Sequence, residues 1–348
     1  MIRALIVDDS PTLRWLLRAI LESDPDLQVI GEARNGEEAM ALCAQLRPDV
    51  VTMDINMPGM GGYEAIRRIM SESPCPIVVV TGLETELLEI SFKALQLGAL
   101  TVVSKPTGLP AESLEARHLL TQVKLMAAVT VVRRIARSSA TVSAPPLSMQ
   151  PSGLLPLQTK ARPRLLAIGV STGGPPALQT LLSGLGAAFP LPIVIVQHIS
   201  RGFVYGLASW LETVIPLPCK VADRYEALQP GVVYLAPDDY HLQVKPAGRI
   251  WLDDAPPLGG HRPAATCLFE SVARYYGAAA VGVLLTGMGH DGARGLKAMR
   301  EAGACTIAQD QASSTIFGMP RAAIRLGAAQ EVLALDKIAP RLWDWLRG

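Results

Sequence analysis

Three residue types that can form a hydrolytic proton relay stand at the ends of apolar runs in the second half of the chain. Ser171 and His198 directly follow such runs, and Asp291 follows a third after a short glycine-rich stretch. A serine hydroxyl becomes nucleophilic when a histidine takes its proton, and a carboxylate fixes the tautomer of that histidine. If the runs are parallel strands, all three side chains lie at one edge of the same sheet. The runs cover 165–170, 193–197 and 281–286.

Small residues beside these positions supply a flexible backbone. A helix is predicted over 175–185, directly after Ser171-Thr172-Gly173-Gly174. The N–H groups of residues 172–174 then point toward the surroundings of the serine from the positive end of the helix dipole. Gly287, Gly289 and Gly292 let the backbone near Asp291 approach a substrate closely. Such N–H groups can stabilise a developing oxyanion.

Each of these residues also has an alternative interpretation. The segment 171–174 resembles a phosphate-binding loop, but it lacks the Walker lysine and the Gly-x-Gly-x-x-Gly spacing, which disfavours a nucleotide site. Asp291 is a candidate N-cap for a helix over 293–301, and it can combine that role with catalysis. His198 is the favoured base because it ends the strand that follows the serine's strand-helix unit.

Of the four other histidines, three are compared with His198 for the role of base. His241 and His261 lie in loop-like stretches, and either could line the cleft. His290 is adjacent to Asp291, but its side chain is expected to point elsewhere. His118 lies in the last helix of the first half and is expected to be irrelevant to this site.

The first half carries a different cluster of chemical groups. Carboxylates, a hydroxyl and an ammonium group follow successive apolar runs, at Asp8, Asp9, Asp54, Thr81 and Lys105. Carboxylates crowded at one sheet edge repel each other unless a cation lies among them, and Mg²⁺ suits oxygen ligands. One carboxylate can then act as nucleophile and form an aspartyl phosphate. Lys105 would balance the charge of the phosphoryl oxygens, and the Thr81 hydroxyl would donate to one of them.

The apolar runs alternate with helix-like periods in both halves, which predicts two α/β units with parallel, doubly wound sheets. Candidate strands in the first half cover 3–7, 28–33, 49–53, 76–81 and 101–104, with helical stretches that include 12–22 and 37–46. The first unit spans residues 1–125, and its last helix, predicted from 111, extends to about 136. Small, polar and proline-marked residues over 137–162 indicate a linker. The second unit covers 163–348.

Composition excludes several classes of function. A chain of 348 residues with 49% hydrophobic and 18% charged residues indicates two globular domains. The net charge of +1 and the lack of long basic runs disfavour a nucleic-acid partner. Five widely separated cysteines indicate neither a disulfide framework nor a zinc site, as expected in a reducing cytosol. Neither a signal peptide nor a membrane-inserted segment is expected, so the protein is predicted to be cytoplasmic.

Residues 1–125 resemble a response-regulator receiver domain with a flavodoxin-like fold. The matching segments are 7–10, 53–60, 80–82 and 104–106. The resemblance implies Asp54 as phosphoacceptor, Thr81 and Lys105 as switch residues, and Mg²⁺ held by Asp9, Asp54 and the Asn56 carbonyl, with Asp8 assisting through water. Two positions depart from the pattern. Gly61 replaces a usual aspartate, and Val102 stands where many receivers carry an aromatic switch residue, so the relay of the signal stays open.

Residues 163–348 resemble the catalytic domain of the CheB family of chemotaxis protein-glutamate methylesterases, a Rossmann-like hydrolase fold. The matching segments are 167–174, 196–198, 234–237, 261–263, 284–293 and 317–320. The resemblance implies Ser171, His198 and Asp291 as the triad and Met288 N–H in the oxyanion hole, where Thr172 N–H is the second candidate donor. The segment 306–320 would wall the cleft. No cofactor is expected for the esterase.

The resemblance implies a phosphorylation-regulated esterase that hydrolyses glutamate methyl esters on chemoreceptors, releases methanol and also deamidates glutamines. Its partners would be a methylated chemoreceptor and a histidine kinase of the CheA type. An unphosphorylated receiver domain is expected to lie across the cleft. The alternative is a receiver-gated binding module with a vestigial triad; a transcription regulator lacks support because no helix-turn-helix pattern is present. The particular receptor, kinase and oligomeric state stay open.

Overall fold

A computed structural model describes residues 1–82, 94–95, 97–106, 113–129 and 162–347. The predicted end of the first unit's last helix, after residue 129, and all but the last residue of the predicted linker lie outside these ranges. The described residues form two parallel sheets packed with helices and one separate antiparallel hairpin. The predicted α/β fold class, with two sheets on one chain, is confirmed.

The first sheet has five parallel strands in the order β2-β1-β3-β4-β5. This is the flavodoxin-like order, in which ligands bind at the carboxyl edge beside β1 and β3. Short apolar runs rich in valine and isoleucine form these strands because both faces of the sheet are covered. The strands are β1 Ile2–Val7, β2 Leu27–Ala33, β3 Val50–Met53, β4 Ile77–Thr81 and β5 Thr101–Ser104.

Helices cover both faces of this sheet. The helices whose bounds lie within the described residues are α1 Pro11–Leu21, α2 Gly36–Leu46, α3 Gly62–Glu72 and α4 Leu114–Ala127. Helices α1 and α4 pack with one set of strand side chains, and α2 and α3 pack with the alternate set. Side-chain caps fix where α1 and α2 begin: Ser10 accepts the N–H of Leu13 at 3.4 Å, and Asn35 accepts the N–H of Glu38 at 2.9 Å. Polar caps therefore fix the beginning of α1, which follows the functional end of β1, and the beginning of α2, which follows β2.

The second sheet has seven parallel strands, with a two-stranded hairpin inserted between its fourth and fifth strands in sequence. The sheet strands are β6 Leu165–Val170, β7 Ile193–Gln197, β8 Cys219–Val221, β9 Val233–Leu235, β12 Ala280–Leu284, β13 Cys305–Gln309 and β14 Glu331–Leu333, and the hairpin strands are β10 His241–Lys245 and β11 Arg249–Asp253. The sequence predicts only strands that alternate with helices, and the antiparallel hairpin departs from that prediction.

Helices again cover both faces. They are α5 Gly174–Leu185, α6 Val204–Val214, α7 Ala265–Tyr276, α8 Ala293–Glu301, α9 Met319–Arg325 and α10 Leu335–Arg347. One core joins α5, α6 and α10 to one face of the sheet, and a second core joins α7, α8 and α9 to the other. Each fully buried leucine or isoleucine in these cores stabilises the fold by about 1.5–3 kcal/mol. Among the described residues, none of the helices is both long and apolar enough to cross a bilayer.

The strand order β14-β13-β12-β6-β7-β9-β8 sets where the second site forms. The chain leaves β6 toward β7 on one side, whereas β12 pairs with β6 on the other. The two sides of the sheet diverge between β6 and β12, and such a switch point opens a crevice at the carboxyl ends of the strands. The three segments that carry the candidate triad follow these three adjacent strands.

Candidate functional site

Ser171 directly follows β6 and is held through its backbone. Its N–H donates to the Thr286 carbonyl at 3.0 Å, and its own carbonyl accepts the side-chain amide of Gln197 at 2.8 Å and the N–H of Gly174 at 2.9 Å. Val170 pairs with Gln197 in the parallel register, so the next residues, Ser171 and His198, are neighbours at the sheet edge. The serine and the histidine line the same cavity.

His198, which is partly buried, and Asp291, which is buried, form a hydrogen-bonded pair. His198 Nε2 lies 2.9 Å from Asp291 Oδ2. The same carboxylate accepts backbone N–H groups from Ala265 at 2.7 Å, Thr266 at 3.0 Å and Gly292 at 2.8 Å. Burial alone raises the pKa of Asp291, but the hydrogen bonds from His198 and Thr266 act more strongly in the opposite direction, so the net pKa lies well below its ordinary value. The carboxylate is therefore ionised, and Nε2 must carry the donated proton.

The alternative role of Asp291 as N-cap of the helix over 293–301 is wrong. Gly292 is the N-cap of α8, and no side-chain cap hydrogen bond is present there. Instead, the carboxylate accepts N–H groups at the start of α7, a helix that begins 26 residues earlier in sequence. The positive end of the α7 dipole adds to the stabilisation of the negative charge.

The other ring nitrogen of His198 is the one available to the serine. His198 Nδ1 is buried and has no hydrogen-bond partner among the described residues. Since Nε2 donates to Asp291, Nδ1 carries the lone pair and is the basic atom of the ring. The structure thus joins the histidine to the acid, and brings serine and histidine into one cavity without a hydrogen bond between them. Catalytic hydrogen bonds often form only when substrate is bound.

The two candidate oxyanion donors face the same cavity. Thr172 is 6% exposed and Met288 is 44% exposed, and both line it. Neither backbone N–H donates to a described residue, so both are available to a ligand. The N–H of Gly174, by contrast, is occupied by the carbonyl of Ser171. Only part of the predicted run of N–H groups over 172–174 is therefore free.

The cavity between these groups has a volume of about 380 Å³ and is lined from both halves of the chain. His118, Thr121, Gln122 and Leu125 of α4 contribute to its wall. The expectation that His118 is irrelevant to the site is wrong. The sequence could not reveal this placement because it depends on how the two sheets pack against each other.

The remaining histidines differ in their position relative to the cavity. His241 and His261 are both predicted as candidates to line the cleft, and His261 lines the cavity. His241 is 1% exposed and is engaged elsewhere: its Nε2 lies 3.1 Å from the Pro256 carbonyl, and its Nδ1 accepts the N–H of Ala264 at 3.2 Å. His290 is exposed.

Polar side chains that the sequence analysis did not assign to the site hold its loops together. Gln197 donates one amide group both to the Ser171 carbonyl and to the His198 carbonyl, each at 2.8 Å. Thr286 donates its hydroxyl to the Thr172 carbonyl at 3.0 Å, and its own N–H donates to Gln309 Oε1 at 2.8 Å. Buried polar residues at strand ends, next to the predicted triad positions, are the signal that could have found them.

The second group of candidate residues lies at the carboxyl edge of the first sheet. Lys105 Nζ donates to Asp54 Oδ2 at 2.8 Å and lies 3.0 Å from Asp8 Oδ2. Asp54 is 3% exposed, and burial raises its pKa despite the opposing effect of Lys105. Burial alone lowers the pKa of Lys105, but the carboxylates of Asp54 and Asp8 raise it overall. Thr81 is buried at the end of β4, and its carbonyl accepts the Lys105 N–H at 2.8 Å.

These residues fit a divalent cation. Oxygen atoms of Asp8, Asp9 and Asp54 lie within 4.8 Å of one another. The single ammonium group of Lys105 faces two buried carboxylates, so a further positive charge is electrostatically favoured there. An all-oxygen donor set suits Mg²⁺. Asn56 follows on the same loop, where its N–H lies 3.4 Å from Asp54 Oδ1.

Two further features shape this edge. Arg14 donates to the carbonyls of Asp8 at 2.8 Å and Asp9 at 3.1 Å, a positioning contact that the sequence analysis did not identify. Gly62 packs so tightly that a Cβ there would overlap the Asp54 carbonyl oxygen.

Of the two departures from the receiver pattern, Gly61 is the N-cap of α3 and forms no side-chain cap hydrogen bond. Val102 is buried and lines a small cavity together with Ser171.

The fold and these two sites define a two-part signalling hydrolase: a receiver-type sheet precedes an α/β hydrolase sheet. Family models agree, because the response regulator receiver domain matches residues 4–116 and the CheB methylesterase matches residues 166–342. The chain belongs to the CheB methylesterase family. A protein-glutamate methylesterase/protein-glutamine glutaminase of Anaeromyxobacter dehalogenans is 49% identical, with 100% of both chains covered.

Two further relatives extend this result. A protein of the same name from Myxococcus xanthus is 48% identical over 100% of this chain and 98% of its own. The crystal structure of the Thermotoga maritima CheB methylesterase catalytic domain is 37% identical and has a TM-score of 0.51, covering 52% of this chain and 98% of that domain. The full-length coverage means that the same two-part organisation is present in the curated relatives.

Proposed function

We propose that this protein hydrolyses methyl esters of glutamate side chains on a methylated chemoreceptor and deamidates glutamine side chains by the same chemistry. The relatives' names, protein-glutamate methylesterase and protein-glutamine glutaminase, support this substrate class. The single observation that carries the proposed chemistry is the hydrogen-bonded pair of His198 Nε2 and Asp291 Oδ2, 2.9 Å apart, in a site whose histidine shares a cavity with Ser171.

In the proposed mechanism, Ser171 Oγ attacks the ester carbonyl while His198 Nδ1 takes the hydroxyl proton. Asp291 holds the opposite ring nitrogen and stabilises the imidazolium. The N–H groups of Thr172 and Met288 stabilise the oxyanion. Collapse of the tetrahedral intermediate expels methanol, which receives the proton from Nδ1. Water, deprotonated by the same nitrogen, then hydrolyses the acyl-enzyme and leaves glutamate; a glutamine substrate loses ammonia instead of methanol.

Replacing the nucleophile tests this mechanism. Ser171→Ala is expected to lower kcat for methanol release from a methylated receptor fragment by at least about 10⁴-fold, because a triad acts as a unit. Ser183→Ala, at an exposed serine on α5, is the matched control and should match wild type. A fluorophosphonate probe should label wild type and not Ser171→Ala. Wild-type turnover in Ser171→Ala would exclude Ser171 as the nucleophile. A wild-type protein that is neither labelled nor active would favour the binding-module alternative.

We further propose that a histidine kinase of the CheA type transfers a phosphoryl group to Asp54. Mg²⁺ held by Asp9, Asp54 and the Asn56 carbonyl, with Asp8 assisting through water, would neutralise charge on the phosphoryl oxygens. Lys105 moves from the carboxylate it now contacts to the phosphoryl group, and the Thr81 hydroxyl donates to the same group. The 2.8 Å contact between Lys105 and Asp54 supports these roles, because it places the ammonium at the acceptor oxygen.

Control of the esterase by the receiver is the second part of this function. Residues of α4 wall the catalytic cavity, and Ile316 of the cleft segment packs against the receiver core that contains α4. In the proposed inactive state, the receiver limits access of a receptor helix to Ser171. Phosphorylation of Asp54 favours an arrangement in which α4 leaves the cavity. All five cysteines lie among the described residues and none of them forms a disulfide, which agrees with the proposed cytoplasmic location.

A further inference from the structure

The ring of His261 lies flat against the ring of His198. Their centroids are 4.0 Å apart and their planes differ by 2°. We propose that His261 is a positioning residue that supports the catalytic base with a neutral aromatic face, keeping the ring in plane and stabilising the positive charge that it acquires. The inference rests on the proposed function, in which His198 is that base.

His261 is itself held by a braced turn. The N–H of Leu258 donates to the His261 carbonyl at 3.0 Å, and the N–H of His261 donates back to the Leu258 carbonyl at 3.1 Å. Gly259 and Gly260 between them have φ of +60° and +86°, values that favour glycine. The next residue, Arg262, donates its guanidinium to the Asp254 carbonyl at 2.9 Å. The stacked ring is thus mounted on a fixed support.

The stacked His261 ring restrains the His198 ring in a way that the hydrogen bond to Asp291 does not. The hydrogen bond from Nε2 to Asp291 fixes one edge of the His198 ring but leaves the ring free to tilt about that contact. A parallel ring at van der Waals distance opposes this tilt and keeps Nδ1 aimed into the cavity. Catalytic groups need to be held within about 10–20° of the productive geometry.

The stacked ring also acts on charge. His198 becomes an imidazolium when it takes the serine proton, and a neutral aromatic face attracts a cation. A protonated His261 would repel it instead. Burial and the charge of His198 lower the pKa of His261 to about 4, so His261 stays neutral at neutral pH. Among facing groups, His290 also lowers this pKa, whereas Asp291 raises it; other charged or titratable groups that line the cavity are His118, Arg201, Asp238, Asp239 and Arg262.

A matched pair of variants in the full chain separates stacking from space filling. His261→Leu and His261→Phe both fill the site with an apolar side chain, but only phenylalanine offers an aromatic face. We expect His261→Leu to lower kcat for methanol release by about 2- to 30-fold, with KM within about twofold of wild type. His261→Phe should keep kcat within about twofold of wild type. His290→Ala, at the exposed neighbouring histidine, is the control and should behave as wild type.

Equal kcat values for the two variants, or a loss that appears in KM alone, would overturn the proposal. Thermal unfolding of each variant shows whether it is folded, and fluorophosphonate labelling of Ser171 shows whether its cavity is intact. Wild type and Ser171→Ala are measured in the same assay. If wild type released no more methanol than Ser171→Ala, the proposed function itself would fail, and that outcome is distinct from failure of the stacking role.

Discussion

At the residue scale, the site depends on which nitrogen of His198 faces which partner. Asp291 takes Nε2, so the proposed base is Nδ1, the nitrogen nearer the backbone. This places the basic atom close to the end of β7, and the serine follows the neighbouring strand β6. The nucleophile at the end of β6 and the basic nitrogen at the end of β7 therefore lie on adjacent strands, each close to the backbone. The arrangement requires a carboxylate that stays ionised.

The ionisation of Asp291 can be tested through the pH dependence of the free energy of unfolding. Because its folded pKa lies below the ordinary value, its contribution to the free energy of unfolding is fully present above the unfolded pKa of about 4. That contribution is lost as the pH falls through the folded pKa. We expect Asp291→Asn to unfold more easily than wild type at pH 7, with a gap that narrows below about pH 4. Thermal unfolding of both proteins from pH 7 to pH 3 measures this difference in stability. Asp223→Asn, at an exposed aspartate, is the control. A gap independent of pH would contradict this ionisation.

At the scale of elements, Gly61 leaves the beginning of α3 without a side-chain cap. The helix follows the Asp54 loop, and its N-cap has no side-chain acceptor. A Cβ at position 61 would meet only ordinary contacts, the nearest being the Ile55 carbonyl oxygen at 3.4 Å. An aspartate would therefore fit there and could accept an N–H from the first turn of the helix.

We expect Gly61→Asp to stabilise α3 by about 0.5–1 kcal/mol, from the new cap and from the lower entropy of the unfolded chain. Hydrogen exchange of the α3 amides in the full-length protein measures the change as slower opening. Gly61→Ala is the matched control, because it reduces chain entropy without adding an acceptor oxygen. If Gly61→Ala protected the amides as much as Gly61→Asp, the cap would contribute nothing.

The same scale shows what sequence reasoning could reach. Strands β1–β5 lie within one residue of prediction, because runs of buried aliphatic residues between turn residues leave little choice of position. Their order in a parallel sheet then brings Asp54 and Lys105 together. Local sequence predicts that Asp291 caps α8, whereas its carboxylate accepts an N–H group at the start of α7, which only the packed fold brings close to it. His118 and the stacked His261 depend on loops and on packing between the two sheets, for which no periodicity gives a signal.

At the scale of the whole molecule, the proposed control depends on α4 occupying the edge of the catalytic cavity. Gln122 on this helix lines that cavity beside Ser171 and His198. Its side-chain carbonyl oxygen is buried and has no hydrogen-bond partner among the described residues. This contact is therefore weakly stabilised, as expected of an interface that must open on phosphorylation.

Two variants of similar size at position 122 change this contact in opposite directions. In an Asp54→Asn background, which cannot be phosphorylated, Gln122→Glu places a charge where burial is costly and favours the open arrangement. Gln122→Leu removes the unpaired oxygen and favours the closed one. We expect Gln122→Glu to raise methanol release by about tenfold, which corresponds to a shift of about 1.4 kcal/mol between the two arrangements, and Gln122→Leu to lower it or leave it at the basal level. Equal rates for the two variants would contradict the proposal that α4 gates the cavity, because the two substitutions are expected to shift its open and closed arrangements in opposite directions.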